Sequence, residues 1–205
     1  MTAQPKARPK SPNKPLAVAI TGGIGAGKSE ALAAFRRHGA ATVSSDEIVH
    51  ELLRRDDVKR AIVERLGNGV VAPNGELDRT AIGTVVFNDR ATLEWLEALL
   101  HPLVSAEYLR WRDQLGRLAD APRVCVTEVP LLFEAGSEQN FDKVVVVTAP
   151  DVVRRARSEA ATEDRERRLL PEPEKVARAD YIYENTGSLE ELDAFVGSVM
   201  HDLSS

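Results

Sequence analysis

Between Leu16 and Thr21 the chain runs LAVAIT, an apolar stretch without polar alternation, the pattern of a central strand buried on both faces. It then turns sharply through Gly22, Gly23, Gly25 and Gly27. From Lys28 to His38 apolar residues return at helical spacing until Gly39 stops the helix. Ala41 to Ser44 predicts a second short strand and Asp46 to Arg54 a second helix. From about Asp56 to Asp120 the pattern is helical without a convincing strand, with Leu93, Leu96, Leu100 and Leu103 at spacings of three and four. The His101-Pro102 pair is expected to interrupt this stretch, because proline disfavours helix at the preceding residue and can open the next one. Strand character returns at Arg123 to Thr127 and Lys143 to Thr148, and more weakly at Tyr181 to Tyr183, before a last helix from Leu189 to about Leu203. Strands alternating with helices predict an α/β fold with a mostly parallel sheet, and such sheets bind ligands at the carboxyl ends of their strands.

Composition narrows the partners. With 205 residues, 43% hydrophobic and 29% charged, the chain can bury one sizeable core and carry an appendage. Its net charge of 27 − 32 = −5 includes Lys6, Arg8, Lys10 and Lys14, which stand in an N-terminal stretch without an acid, so the remainder carries −9. A body this acidic has no general footprint for nucleic acid or an anionic membrane, and any basic site must be local. Residues 1–14 lack the apolar core of a secretory signal and read as a disordered basic, proline-rich tail. No later stretch reaches membrane-spanning length. Cys125 is the single cysteine, which excludes an intrachain disulfide and a multi-cysteine zinc site. A cytoplasmic monomer is the expectation.

The chemistry starts in the glycine turn. Gly22 to Ser29 reads GGIGAGKS and satisfies G-x-x-x-x-G-K-[ST] between a predicted strand and a predicted helix, the context that motif requires. Glycines let successive N–H groups turn inward around phosphate oxygens at a helix N-terminus. Lys28 supplies charge to the β- and γ-phosphates, and Ser29 a hydroxyl for Mg²⁺. The class is therefore a user of nucleoside triphosphates. The N-K-x-D guanine-reading segment of a GTPase is absent, and the size favours a small kinase over a motor ATPase.

Asp46 follows the second predicted strand, at the same sheet edge as the loop. Ser44 and Glu47 have the spacing of a capping box, which frees Asp46 from capping to orient an acceptor hydroxyl and take its proton. Glu128 ends an apolar strand, where an acid suits indirect coordination of Mg²⁺, while Glu134 reads equally well as an acceptor for nearby backbone. From Val152 to Lys175 arginines alternate with acids, as in a solvated helix with pairs such as Glu163–Arg167 and Asp164–Arg168. The same stretch can be a lid whose guanidiniums neutralise a transferring phosphoryl group, with Arg154 and Arg157 the candidates. His101 reads either as a structural histidine or as an acceptor ligand.

Taken together the segments resemble the dephospho-CoA kinases. AITGGIGAGKS at Ala19 to Ser29, SSDEIV at Ser44 to Val49, LDRTAIGTVVF at Leu77 to Phe87, LLHPLV at Leu99 to Val104, EVPLLFE at Glu128 to Glu134 and ADYIYENTGSLEEL at Ala179 to Leu192 occur in that family's order. The resemblance implies a P-loop kinase fold with a five-stranded parallel core at 15–55 and 121–205, a helical CoA-binding insertion at about 56–120 and a lid at about 152–175. It also implies transfer of the γ-phosphoryl group of ATP to the ribose 3′-hydroxyl of dephospho-CoA, with Mg²⁺. On that reading Gly23, Ile24, Gly25, Ala26, Gly27, Lys28, Ser29 and Glu30 form the ATP loop, and Asn185 lies in the segment that approaches the adenine. Asp46 matches the acceptor-site base, Arg79 and His101 the acceptor side, and Ser29 and Glu128 the metal position. The chain departs from the family's D-A-D-x-x-A-R, with Ser44, Ser45 and His50 around the retained Asp46, and Leu169 stands near a recurring glutamine. From the residues alone, a related small-metabolite or nucleoside-monophosphate kinase and a non-catalytic nucleotide-binding module remain as alternatives.

Overall fold

The computed structural model describes residues 14–157, 169–186 and 188–205, with backbone alone at 155–157. The LAVAIT run forms β1 (Leu16–Gly22), the central strand of a five-stranded parallel sheet in the order β2-β3-β1-β4-β5. Here β2 is Ala41–Ser44, β3 Val124–Glu128, β4 Lys143–Thr148 and β5 Tyr181–Glu184, each within about a residue of its sequence pattern. The helices are α1 (Lys28–Arg37), α2 (Ser45–Leu52), α3 (Asp56–Leu66), α4 (Arg79–Asn88), α5 (Arg90–Leu115), α6 (Asp151–Arg157), α7 (Glu172–Val176) and α8 (Leu189–Ser204).

Both sheet faces are covered, which is why the strands are continuous apolar runs. On one face Val18, Ile20, Val126, Val145 and Val147 meet Leu32 and Phe35 of α1 and Leu192 and Val196 of α8. On the other, Ala19, Val144 and Val146 meet Leu132 and Phe133 from the loop after β3, and Leu170 and Val176 from the segment that leads into β5. Helices α3, α4 and α5 share a separate cluster around Val58, Ile62, Val86 and Leu96. Ile48 and Leu52 of α2, packed against Val104 and Tyr108 of α5 and Val43 of β2, join that cluster to the sheet edge. Among the described residues of this insertion, extended pairing is limited to one antiparallel bridge between Val71 and Leu77.

One expectation is corrected. His101-Pro102 does not interrupt a helix, for α5 runs unbroken from Arg90 to Leu115 with Pro102 inside it. Thr92, Leu96, Leu100, Val104 and Tyr108 recur every four residues on both sides of the proline and are all buried. An interior proline costs about 3 kcal/mol. Burying each large apolar side chain of that stripe contributes roughly 1.5–3 kcal/mol, so tertiary packing holds the helix through the break.

Helix α2 also stops at Leu52, two residues short of Arg54. Lys14, placed by sequence in the tail, forms an ion pair with Asp113. The rest of the tail and residues 158–168, which include the Glu163–Arg167 and Asp164–Arg168 pairs, lie outside the described residues. No described helix is long and apolar enough to cross a membrane.

Candidate active site

Strand β1 delivers the loop to the middle of the carboxyl edge of the sheet. Gly22 is its last residue, opposite Val147 of β4, and a Cβ there would stand 2.0 Å from the Val147 carbonyl oxygen. Gly25 and Gly27 have φ of 74° and 98°, left-handed geometry that favours glycine, and the Ala26 N–H between them donates to the Gly23 carbonyl at 3.3 Å. Gly27 directly precedes α1, whose first-turn N–H groups have no intrahelical acceptor and carry the positive end of the helix dipole. Ile24 is half-buried beside the fully buried Ala26, and Glu30 is exposed in the first turn of α1.

Lys28 Nζ donates to the Gly23 carbonyl at 2.8 Å, folded back over the loop. Burial holds its pKa below the usual lysine value, and Lys175 adds to that depression while Glu128 and Asp46 oppose it. Ser29 Oγ donates to the Glu128 carboxylate, 3.2 and 3.4 Å from its two oxygens. Glu128 is the last residue of β3, flanked in register by Ile20 and Ser44. Burial raises its pKa, while the charge of Lys28 and the Ser29 hydrogen bond pull it back.

Asp46 stands in the first turn of α2, just past Ser44, and its charge is felt by both Lys28 and Glu128. The capping box predicted from sequence is formed. Ser44 Oγ accepts from the Glu47 N–H at 3.0 Å and the Glu47 carboxylate accepts from the Ser44 N–H at 2.9 Å, which leaves Asp46 unused by the cap. Lys28, Ser29, Asp46 and Glu128 are thus brought together by the ends of three adjacent strands. A hydroxyl and a carboxylate side by side are hard oxygen donors suited to Mg²⁺, which takes few protein ligands when it also binds phosphates. No group of three or more His, Cys, Asp or Glu that could cage a metal occurs among the described residues.

Arg154, in α6, lies across the loop. A Cβ on Gly23 would meet its Nη1 at 2.8 Å, and one on Gly25 its carbonyl oxygen at 2.9 Å. Its guanidinium also pairs with Asp151 at 2.6 Å. The Arg157 side chain lies outside what the structure describes. Asn185 is buried, and its Nδ2 donates to the Ala26 carbonyl at 2.9 Å, so its amide braces the loop.

A cavity of about 490 Å³ opens beside Asp46, between α2, α5 and the loop after β3. Val49, Leu96, Leu100, Val129 and Leu131 make its walls apolar, and His101, Ser105 and Tyr108 supply polar edges. Its charged lining is Asp46 and Glu97, with no lysine or arginine among the described residues. His101 therefore joins the Asp46 side of the site, whereas Arg79 is exposed at the start of α4 and does not line this cavity.

Two features escaped the sequence reading. Asn140 Nδ2 donates to the Tyr108 hydroxyl at 2.9 Å, and that hydroxyl donates to Ser105 Oγ at 3.1 Å, forming a polar end to the cavity. The four-residue stripe of α5 announces Tyr108, but nothing local announces Asn140. Glu134 accepts the Leu170 N–H at 2.7 Å, as its backbone reading allowed, and also faces the buried Lys175.

A phosphate loop on the central strand of a parallel five-stranded sheet, with Glu128 ending the neighbouring strand, Asp46 just past the end of the next and a cavity alongside, defines a P-loop kinase. The chain belongs to the dephospho-CoA kinase family, whose model matches residues 16–191. Among curated relatives, the dephospho-CoA kinase of Symbiobacterium thermophilum is 40% identical over 187 residues, 87% of this chain and 77% of that protein. That of Streptomyces avermitilis is 39% identical over 196 residues, 92% of this chain and 94% of its own length. Among solved structures, TT1252 from Thermus thermophilus superposes with a TM-score of 0.76 at 34% identity, covering 93% of this chain and 99% of that one. The dephospho-CoA kinase from Campylobacter jejuni gives 0.69 at 25% identity, covering 92% and 96%. The resemblance drawn from motifs is borne out.

Proposed function

We propose that this chain transfers the γ-phosphoryl group of ATP to the ribose 3′-hydroxyl of dephospho-CoA, giving ADP and CoA, the last step of CoA synthesis. The observation that carries the reading is the juxtaposition of Asp46, Lys28 and Glu128 at one sheet edge, with an apolar cavity opening beside Asp46. Residues Gly23 to Ser29 cradle the triphosphate with their N–H groups, Lys28 leaves the Gly23 carbonyl for the β- and γ-phosphates, and Asn185 keeps the loop in shape. Ser29 and Glu128 would hold Mg²⁺, which would supply neutralising charge at the phosphates.

Asp46 orients the 3′-hydroxyl and receives its proton as the new O–P bond forms and the bond from the γ-phosphorus to the bridging oxygen breaks, releasing ADP. In a loose transition state little nucleophile activation is needed, so positioning by Asp46 and charge neutralisation by Lys28 and Arg154 carry most of the effect. Arg157, on the same helix, is assigned to the same task. The cavity's acidic and apolar lining suits an uncharged part of the acceptor, with His101 at its wall, and leaves the acceptor's pyrophosphate to basic residues outside it, Arg79 among them. Residues 56–120 would then be the acceptor-binding insertion and 152–175 the lid. A monomer acting in the cytoplasm completes this reading.

A coupled assay of ADP release over a panel of acceptors tests the reading. ADP formation that depends on dephospho-CoA, with nucleoside monophosphates far poorer, is the expected result. Equal ADP release with and without dephospho-CoA would refute it.

A further inference from the structure

Lys175 has no role in the mechanism above, yet it is among the most buried side chains of the protein. It sits at the end of α7, only 2% exposed. Its Nζ lies 2.8 Å from Glu134 Oε1, but in a geometry that makes no hydrogen bond, and that oxygen already accepts the Leu170 N–H. An ammonium carries three donors, and taking it out of water is costly unless those donors find acceptors. Replacing a buried ion pair by apolar side chains is often neutral or stabilising, so a badly aligned pair is a poor structural device.

Its location supplies the missing acceptor. The charge of Lys175 bears on Lys28, the residue assigned to the β- and γ-phosphates, so the two ammonium groups are within electrostatic reach of each other. Residue Val176, next to it, packs against the cluster of Leu132 and Phe133, from the loop that follows Glu128, and Val146, the register partner of Thr21, which sets α7 against the sheet face near the start of the glycine loop. A four-carbon stem lets the ammonium move by rotation alone.

We propose that Lys175 is a further catalytic residue, a buried ammonium that swings from Glu134 onto the γ-phosphate of bound ATP. Glu134 is its resting partner and holds it parked between turnovers. The proposal rests on the reading that the loop binds ATP, but its test does not need the acceptor.

Calorimetry with ATP and with ADP, on the wild type and on the charge-neutral double variant Lys175→Met/Glu134→Gln, separates a γ-phosphate contact from a packing role. The double variant should keep its ADP affinity and lose about ten-fold or more in ATP affinity, the size of one hydrogen bond to a charged group. Lys175→Arg should restore part of that loss. In turnover, kcat should fall about a hundred-fold with the acceptor KM unchanged. Glu134→Gln alone, which releases the ammonium without removing it, should tighten ATP relative to ADP, and it decides the matter if the double variant does not fold. ATP and ADP affinities that stay unchanged, or that weaken equally, would overturn the proposal. Wild-type protein that discriminates ATP from ADP through Lys175 but does not phosphorylate dephospho-CoA would refute the proposed acceptor and leave this assignment standing.

Discussion

Alanine at Gly22 and, separately, at Gly23 places the same methyl group on neighbouring residues of the loop with opposite consequences. At Gly22 the backbone has φ of 148°, and the new Cβ would lie 2.0 Å from the carbonyl oxygen and 3.0 Å from the carbonyl carbon of Val147. Both atoms are backbone of β4, held in register with β1 by the parallel ladder, so the methyl group can be accommodated only by parting the two central strands. Strain at such a φ costs about 1–3 kcal/mol, and a backbone clash of this depth brings the total to roughly 3–5 kcal/mol. For a domain of this size each kcal/mol shifts Tm by about 2–4 °C, so Gly22→Ala should lower Tm by roughly 10 °C. At Gly23 the three atoms nearest the new Cβ all belong to the Arg154 side chain, and the one too close is Nη1 at 2.8 Å, the far end of a long side chain. The guanidinium can move aside for under about 1 kcal/mol of stability, but it then leaves the loop, and kcat should fall about ten- to a hundred-fold. Calorimetric Tm and steady-state rates on the two variants form the assay. Equal Tm losses at the two positions, or a Gly22→Ala protein within about 2 °C of wild type, would refute the reasoning.

Asp46→Asn should lower kcat by about a hundred-fold or more with the KM for ATP unchanged. Because Ser44 caps α2, Tm should hold in that variant, while Ser44→Ala should cost about 1 kcal/mol of stability. Glu128 has its pKa raised by burial in the folded chain, so the fold prefers its protonated form and loses stability as pH rises from the unfolded pKa through the folded one. Glu128→Gln should therefore raise Tm at about pH 7 without nucleotide or Mg²⁺, with the gain vanishing near about pH 4, and should weaken the Mg²⁺ dependence of turnover. Cys125 is buried in β3 with its thiol pushed up to about 12, so Ellman's reagent at about pH 8 should label it only after denaturation.

The parts that sequence expressed locally were the parts it expressed well. Ala41–Ser44 and Lys143–Thr148 are strands with the bounds their β-branched runs suggest, and Ser44 with Glu47 forms the box that its spacing announced. The glycine loop is legible because its conformation is written in residue types that few other structures require. Pro102 misled because the local penalty is real but smaller than the burial of the stripe around it, a quantity no window of sequence contains. Asn185 on Ala26, Asn140 on Tyr108 and Glu134 with Lys175 join residues 32 to 159 positions apart, and such contacts exist only once the sheet order is known. Arg79 and His101, similar in standing as sequence expectations, separate in space for the same reason: one turn of α5 faces the cavity and the first turn of α4 does not.

The most direct test of the account is the product itself. Purified protein with ATP, Mg²⁺ and dephospho-CoA should yield CoA and ADP in equal amounts, with ³¹P NMR showing the new phosphomonoester on the ribose 3′-oxygen. ADP without that phosphomonoester, or phosphate on another hydroxyl, would contradict it.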